Sequence, residues 1–231
     1  MFELTQQSLH QWEALCTQDQ PPYCTARCPL HVDGKGICAA LEKGNFNKGR
    51  EILEKYVLLP RVLSAVCEAP CRETCRRGEV GEPLELQQLE RACMAYGKKK
   101  QTGSRLTFIR KKSEKVAVVG AGMAGLCIAL ELGMRGYAVT LLEQHSQLGG
   151  RLLQLPAEQL SAEDLEKDLK KLEQLGIVVQ TDCLVDEVKL TALLQQYDAI
   201  YVSAAVLTEF QTEYSIDRQT LQTNVEKVFA G

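Results

Sequence analysis

The sequence predicts a helical N-terminal part followed by an α/β part built on a parallel sheet. In residues 1–97, apolar side chains recur at helical spacing and runs of β-branched residues are few, so no sheet is expected there. From Lys115 onward, short apolar runs alternate with helical patterns, which is the order of strands and helices in βαβ units. We therefore expect two domains, covering residues 1–112 and 113–231.

Helices in the N-terminal part are predicted at Thr5–Leu15, Asn45–Val57 and Leu84–Tyr96. The second begins with an asparagine, whose side-chain oxygen commonly caps a helix N-terminus. Between Gly97 and Lys115 the composition changes, because eight basic residues are opposed only by Glu114. This stretch is either a solvated linker or a strip that docks on an acidic partner surface, and it marks the expected domain boundary.

The C-terminal part is predicted to begin with a strand, a helix and a second strand, and to continue in the same alternation. Residues Val188–Gln196 have a mixed pattern. The predicted helices are Met123–Arg135 and Ala162–Leu175. The predicted strands are Val116–Val119, Ala138–Leu142, Ile177–Thr181, Ala199–Ser203 and Lys227–Gly231.

Composition and charge exclude several classes of protein. The formal net charge is −3 over 231 residues, which gives no reason to expect a nucleic acid partner. The longest apolar runs are far shorter than the roughly 20 residues that span a bilayer, and the N-terminus lacks the features of an export signal. We therefore expect a cytoplasmic chain without a membrane span, in which ten cysteines are thiols or metal ligands rather than disulfides.

A glycine-rich loop lies between the first predicted strand and the helix after it. Its first glycine allows a tight turn, its second lets the backbone approach a pyrophosphate, and its third lets the helix pack closely on the strand. Backbone N–H groups at the helix N-terminus then point at the phosphates. The expected dinucleotide-binding residues of this loop are Gly120, Ala121, Gly122, Met123, Ala124 and Gly125.

Residues after the second predicted strand favour FAD over a nicotinamide as the bound dinucleotide. Glu143 ends that strand about 20 residues beyond the loop, where its carboxylate can accept hydrogen bonds from ribose hydroxyls, and Gln144 belongs to the same expected site. The pair Gly149 and Gly150, followed by Arg151, lets the chain pass close to a flavin pyrophosphate. Since only one glycine fingerprint is present, we expect no separate NADPH-binding domain.

Two close groups of cysteines occupy the first third of the chain: Cys16, Cys24, Cys28, Cys67, Cys71 and Cys75. Their spacing lacks the Cys-x2-Cys pairs typical of zinc sites, and the three histidines add no ligand spacing. Pro29 follows the third cysteine, as proline follows cysteine in many iron–sulfur motifs. The pattern favours iron–sulfur clusters over zinc and over free or disulfide-bonded thiols. Buried, structural side chains are predicted for Cys38, Cys93, Cys127 and Cys183.

With these motifs, the chain resembles the iron–sulfur and FAD portion of the glutamate synthase small subunit and of the N-terminal part of dihydropyrimidine dehydrogenase. The resemblance implies a helical domain with one or two [4Fe–4S] clusters, then a Rossmann-like FAD-binding domain without the NADPH-binding insertion. It also implies an oxidoreductase subunit or fragment that is not self-sufficient. The resembling stretches are Cys16–Pro29, Val66–Cys75, Pro83–Arg91, Lys115–Glu143, Leu148–Arg151, Pro156–Leu165 and Tyr197–Ser203.

The resemblance also implies which residues bind iron, because two clusters are held by interleaved ligands in the family. One implied ligand set consists of Cys16, Cys24 and Cys75. The other consists of Cys28, Cys67 and Cys71, with Glu90 near the position of a non-cysteine ligand.

One implied ligand position departs from the family, because Asp19 stands where the family has a further cysteine. The first cluster could therefore be bound through this carboxylate, be completed by Cys38 or Cys93, or be absent. A carboxylate is a harder ligand than a thiolate, and its presence would change the reduction potential.

Further departures bear on FAD. Gln159 stands near the position of a family arginine that approaches FAD, and Ala205 replaces a family glycine. Some twenty residues occupy the place of the family's NADPH-binding domain. The sequence ends at Gly231, before a family aspartate that approaches the flavin, so we expect a piece of a longer polypeptide with weakened FAD binding.

These observations predict a module that relays electrons between FAD, [4Fe–4S] clusters and a larger oxidoreductase subunit or another electron-transfer protein. No general acid, base or nucleophile is singled out. One alternative is an interaction or assembly module, in which metal staples the helical part and the nucleotide serves folding only. Another is a fragment of an NAD(P)H-dependent reductase of the glutamate synthase type.

Overall fold

The computed structural model describes residue 6 and residues 22–98, 109–211 and 213–231. The chain divides into two compact units, Met1–Gln101 and Thr102–Gly231. Apart from residue 6, the predicted helix Thr5–Leu15 lies outside the described residues, and so does most of the basic stretch after Gly97. No helix within the described ranges is long and apolar enough to cross a membrane.

The first unit is helical, as predicted, and its described residues form no strand. The predicted asparagine cap is present, because the Asn45 side-chain oxygen accepts a hydrogen bond from the Lys48 N–H at 3.0 Å. The unit contains α1 (Tyr23–Arg27), α2 (Gly34–Glu42), α3 (Phe46–Tyr56), α4 (Pro60–Val66) and α5 (Leu86–Tyr96), with 3₁₀ turns at Pro70–Arg72 and Arg76–Glu79.

The sequence pattern does not predict α1, α2 or α4. Helices α1 and α4 span five and seven residues, too few for helical periodicity to be evident. Helix α2 contains Gly34 and Gly36, and glycine lowers helix propensity by about 1 kcal/mol relative to alanine. Asp33 stabilises the start of α2, because its carboxylate accepts a hydrogen bond from the Gly36 N–H at 2.8 Å.

An apolar core holds the helices of the first unit together, and two arginines fix the end of α5. Arg50 Nη1 donates to the Gly97 carbonyl at 2.9 Å, and Arg61 Nη2 donates to the Met94 carbonyl at 2.7 Å. This arrangement gives the cysteine-bearing loops a rigid support. The buried core residues are Val32, Ile37, Leu53, Val57, Cys93 and Met94.

The second unit is an α/β domain with a five-stranded parallel sheet in the order β3-β2-β1-β4-β5. Its strands are β1 (Lys115–Val119), β2 (Ala138–Leu142), β3 (Val178–Gln180), β4 (Ala199–Val202) and β5 (Val228–Ala230). Its helices are α6 (Met123–Met134), α7 (Ala162–Gln174), α8 (Glu187–Leu193) and α9 (Ala204–Leu207), with a 3₁₀ turn at Gly150–Gln154.

The predicted alternation of strands and helices is confirmed, with ends that differ by at most one residue. The mixed segment Val188–Gln196 mostly forms α8, which Asp186 caps by accepting a hydrogen bond from the Lys189 N–H at 2.8 Å. Cys183, predicted to be buried, is only partly buried and lies in the loop after β3, which ends at Gln180. There its N–H donates to the Glu143 carbonyl at 2.9 Å, which holds the loop against the end of β2.

The sheet places the carboxyl ends of three strands side by side. Val119 at the end of β1 is in register with Leu142 of β2 and with Val202 of β4. The chain runs from β1 toward β3 on one side and continues with β4 and β5 on the other, so the strand order reverses at β1. In open α/β sheets, ligands bind at such a switch point, beyond the carboxyl ends of the strands.

Replacing Ile200 tests the packing of this sheet, because its side chain is completely buried. Val188 on α8 is 80% exposed and serves as the control. Replacing Ile200 by alanine leaves an apolar cavity, so we expect Ile200→Ala to lower the free energy of unfolding of the second unit by about 2–5 kcal/mol. Urea unfolding followed by circular dichroism measures this change. The control Val188→Ala should change it by less than about 0.5 kcal/mol, and equal losses in both variants would contradict the packing.

Candidate functional site

The three glycines of the loop after β1 meet different steric constraints. Gly120 has a φ of +93°, and a Cβ there would overlap the Ser203 Oγ. A Cβ at Gly125 would overlap the Gly120 carbonyl oxygen, so this position holds α6 close to the turn. At Gly122 a Cβ would meet nothing within 4 Å, so this glycine faces open space. The geometry therefore matches the roles predicted for the first and third glycines and leaves room for a ligand at the second.

Glu143 holds the glycine loop to the end of β2. Its Oε2 accepts a hydrogen bond from the Ala121 N–H at 2.7 Å, and its Oε1 accepts one from the His145 N–H at 3.0 Å. The His145 Nδ1 lies 2.9 Å from the same Oε1. Burial by itself raises the pKa of Glu143, but these hydrogen bonds outweigh it, so the pKa lies below that of an ordinary glutamate. Oε2 accepts only the Ala121 N–H, so it keeps a further lone pair that can accept from a ribose hydroxyl.

The pair Gly149 and Gly150 passes directly over the glycine loop. The Gly149 N–H donates to the Ala121 carbonyl at 2.9 Å. Both glycines have positive φ values, +125° and +53°, which side chains with a Cβ rarely adopt. A Cβ at Gly150 would lie 3.2 Å from the Gly122 Cα. The two glycine segments thus approach each other as closely as backbones without side chains allow.

These segments line one cavity of about 770 Å³, which lies within the usual size range of small-molecule and cofactor sites. Ala121 is buried behind the loop. The predicted residues that line the cavity are Gly120, Gly122, Met123, Ala124, Gly125, Glu143, Gln144, Gly149, Gly150 and Arg151.

Sequence reasoning missed part of the cavity wall. The missed residues include Ser203, Ala204 and Val206 after β4, together with Gly231. The position of Ser203 at the carboxyl end of a predicted strand could have indicated it, because ligands bind at that edge of a parallel sheet. Nothing in the local sequence indicates the loop residues His145, Ser146 and Gln147, which also line the cavity.

In the first unit, the two cysteine-bearing segments meet through contacts of Tyr23. The Thr74 hydroxyl donates to the Tyr23 carbonyl at 3.5 Å, and Arg76 Nη2 donates to the Tyr23 hydroxyl at 3.0 Å. The Arg76 guanidinium also lies 4.7 Å from the centre of the Tyr23 ring. Cys24 follows this tyrosine and Cys75 follows Thr74, so the contacts bring the cysteines of α1 close to those of the 3₁₀ turns.

Four side chains form the Cys67 group, which consists of Cys28, Cys67, Cys71 and Glu90. Burial raises the pKa of Cys71 to about 11, and nearby negative charge on Cys67 and Glu90 adds to the increase. Burial also raises the pKa of Glu90, to about 7. The Ala69 N–H donates to the Cys67 Sγ at 3.3 Å, and Ala69 adopts a φ of +51° to reach it. These are the described residues that the family resemblance assigns to one cluster.

Three further cysteines form the Cys24 group, which consists of Cys24, Cys38 and Cys75. Burial raises the pKa of Cys38, and the charges of Cys24 and Cys75 raise it further. The Leu84 N–H donates to the Cys75 Sγ at 3.4 Å. Two of the predicted ligands of this cluster, Cys16 and Asp19, lie outside the described residues.

No three or more His, Cys, Asp or Glu side chains in the described ranges are arranged to hold a single metal ion. A [4Fe–4S] cluster is larger, and each of its thiolates binds a different iron atom. Backbone N–H groups that donate to cysteine sulfur, as at Cys67 and Cys75, are typical partners of cluster ligands.

Two protein families match different parts of the chain. Residues 3–102 are similar to the family described as dihydropyrimidine dehydrogenase domain II, 4Fe-4S cluster. Residues 118–163 match the NAD(P)-binding Rossmann-like domain, a range that includes the glycine loop, Glu143 and the glycine pair. The predicted resemblance to dihydropyrimidine dehydrogenase is thereby confirmed.

Curated relatives are subunits of oxidoreductases. The chain is 31% identical over 206 residues to the NADP(+)-dependent formate dehydrogenase subunit beta of Moorella thermoacetica, covering 79% of this chain and 29% of the relative. It is 28% identical to the NADPH-Fe(3+) oxidoreductase subunit beta of Geobacter sulfurreducens, covering 78% and 27%. It is 27% identical to the NAD-dependent dihydropyrimidine dehydrogenase subunit PreT of Salmonella typhimurium, covering 83% and 47%. The chain thus spans less than half the length of each of these relatives.

The steric difference between Gly122 and Gly125 gives a matched pair of variants. A methyl group at Gly125 overlaps the Gly120 carbonyl oxygen, so we expect Gly125→Ala to lower the free energy of unfolding and to abolish dinucleotide binding. A methyl group at Gly122 meets open space, so Gly122→Ala should unfold like the parent chain yet bind the dinucleotide at least tenfold more weakly. Urea unfolding and titration with FAD measure the two effects. Parent-like binding by Gly122→Ala would contradict the site.

The lowered pKa of Glu143 predicts a pH-dependent contribution to stability. A carboxylate with a lowered pKa stabilises the fold above the pKa of an unfolded glutamate, and the contribution is lost as the pH falls through the lowered value. In Glu143→Gln, an amide NH₂ replaces one acceptor oxygen, so we expect this variant to be less stable than the parent at pH 7.

Urea unfolding at a series of pH values measures the stability difference, which should shrink toward acid. Glu131→Gln is the matched control, because Glu131 lies on the surface in an exposed ion pair with Arg135. Its effect should stay within about 0.5 kcal/mol. A difference for Glu143→Gln that is constant down to strongly acidic pH would count against the role of the carboxylate.

Proposed function

We propose that the chain is an electron-transfer module of a larger oxidoreductase, with [4Fe–4S] clusters in the first unit and FAD in the second. The observation that carries this proposal is the presence in one chain of a 4Fe-4S family domain and a preformed dinucleotide cavity. The three relatives named above are oxidoreductase subunits, which supports the same class of function.

For iron, we propose the Cys67 group as one ligand set and Cys16, Cys24 and Cys75 as thiolate ligands of a second cluster. Thiolates are the usual ligands of such clusters, and each must lose its proton before it binds iron. Glu90 is suited to the non-cysteine position, because its carboxylate is buried and its charge raises the pKa values of both Cys67 and Cys71. A bound iron atom would compensate its burial.

For the dinucleotide, we propose FAD bound with its pyrophosphate between the glycine loop and the pair Gly149 and Gly150. Backbone N–H groups at the start of α6 and the open face of Gly122 leave space for the phosphates. Glu143 is positioned to accept hydrogen bonds from the ribose, and its negative charge disfavours a 2′-phosphate. When bound, FAD exchanges electrons in pairs or singly, whereas a cluster exchanges them singly.

We further propose that the partner is a larger oxidoreductase subunit or another electron-transfer protein. The three relatives named above are subunits, and their names refer to formate, ferric iron or dihydropyrimidine chemistry together with a nicotinamide. The cysteines of the described residues are free thiols, which supports work in the reducing cytoplasm. The terminal substrate would be bound by the partner.

Anaerobic purification of the chain tests the proposal. We expect broad absorbance near about 400 nm that dithionite bleaches, about four to eight iron atoms per chain with matching sulfide, and FAD in the released flavin fraction. Zinc without colour would instead support a metal-stapled assembly module. Bound NAD or NADP without flavin would overturn the FAD assignment alone.

Replacing Cys71 tests whether this residue is an iron ligand or only supports the fold. We expect Cys71→Ala to lose about four iron atoms per chain relative to the parent, because Cys71 belongs to the Cys67 group. Cys127→Ala is the matched control, because Cys127 lies on α6 of the second unit and should leave the iron content unchanged. Iron and sulfide analysis measures both. Parent-like iron in Cys71→Ala would remove this residue from the ligand set.

A further inference from the structure

Cys38 lies outside the two cysteine groups that the sequence places close together, yet the fold brings it to one of them. We propose that Cys38 supplies a thiolate to the same cluster as Cys24 and Cys75, which would make a carboxylate ligand at position 19 unnecessary. This inference rests on the proposed function, because it assigns a ligand to one of the proposed clusters. The sequence alone leaves open whether Asp19, Cys38 or Cys93 completes this cluster, or whether the cluster is absent.

The contact between α2 and α1 places Cys38 on the same side of α2 as Cys24. A Cβ at Gly34 would lie 3.5 Å from the Cys24 Sγ, so the start of α2 packs directly against this thiol. Cys38 follows Gly34 by four residues on the same helix, and residues four apart lie on one face, one turn from each other. The face of α2 that meets Cys24 therefore also carries the Cys38 side chain.

The third thiol, that of Cys75, lies beside the segment that leads into α5. The same Cβ position at Gly34 lies 3.0 Å from the Leu86 Cδ1, so α5 begins beside α2. The segment just before it receives Cys75, whose Sγ accepts a hydrogen bond from the Leu84 N–H at 3.4 Å. Charges on Cys24 and Cys75 both raise the pKa of Cys38, which agrees with three neighbouring thiols.

The burial of the two candidate cysteines favours Cys38 over Cys93. The Cys93 side chain is completely buried in the apolar core, and a Cβ at Gly49 would overlap its Sγ. Cys38, by contrast, is only partly buried. Cys93 therefore remains a structural cysteine, as predicted.

Ligand chemistry favours a thiolate at this position over the Asp19 carboxylate. On binding, the Cys38 Sγ–H releases its proton to solvent and the sulfur forms a bond to one iron atom, with no change in oxidation state. Thiolate is a softer donor than carboxylate and is the common ligand of iron–sulfur clusters. A chain with cysteine at position 38 can therefore complete a cubane cluster without cysteine at position 19.

Anaerobic reconstitution of the full chain with iron and sulfide compares the parent with three variants. We expect Cys38→Ala to lose about four of about eight iron atoms per chain, and Asp19→Ala to keep the parent content. Cys127→Ala is the control and should also keep it. If the parent holds only one cluster and Cys38→Ala retains it, or if Asp19→Ala loses the iron that Cys38→Ala keeps, the assignment to Cys38 is wrong.

Alkylation of the parent chain gives a second readout that needs no variant. Iodoacetamide followed by peptide mass spectrometry should leave Cys38 unmodified in the reconstituted chain and modify it after oxidative removal of iron with a chelator. Cys127 serves as the internal reference, with equal modification in both states. Equal modification of Cys38 in both states would overturn the proposal. A parent chain that takes up no iron at all would overturn the proposed function together with it.

Discussion

The hydrogen bond from the Ala121 N–H to the Glu143 carboxylate joins the turn after β1 to the end of β2 in the second unit. A buried carboxylate is costly unless hydrogen-bond donors compensate it, and Glu143 receives donors from the glycine loop and from His145. The carbonyl of Ala121 accepts the Gly149 N–H in turn. Three segments thus hold one another in place at the wall of the cavity.

The cysteine-bearing segments of the first unit bury groups whose pKa values rise on burial. Burial raises the pKa of Glu90 to about 7 and that of Cys71 to about 11. A Cys71 thiol with this pKa is protonated at neutral pH, and it must lose its proton before it binds a metal. A bound iron atom would offset the cost of burying these groups.

Much of the second unit could be predicted from the sequence, because its signals are local. Buried β-branched runs, the glycine spacing after β1 and a carboxylate at the end of β2 each indicate their own structure. In the first unit, α1 and α4 are too short to show a period, and α2 carries two glycines. Helix α2 forms because the packing of Ile37 in the core overrides weak local propensity.

The amino-acid sequence alone determined the chemical character of both sites: soft thiolates in the first unit, and backbone N–H groups with one carboxylate in the second. It could do so because residue type sets ligand preference and because glycine alone tolerates certain backbone angles. Only the tertiary structure decided which thiols are neighbours. Cys38 and Cys75 are far apart in the chain, and they come together because α1 and the start of α5 both contact the start of α2.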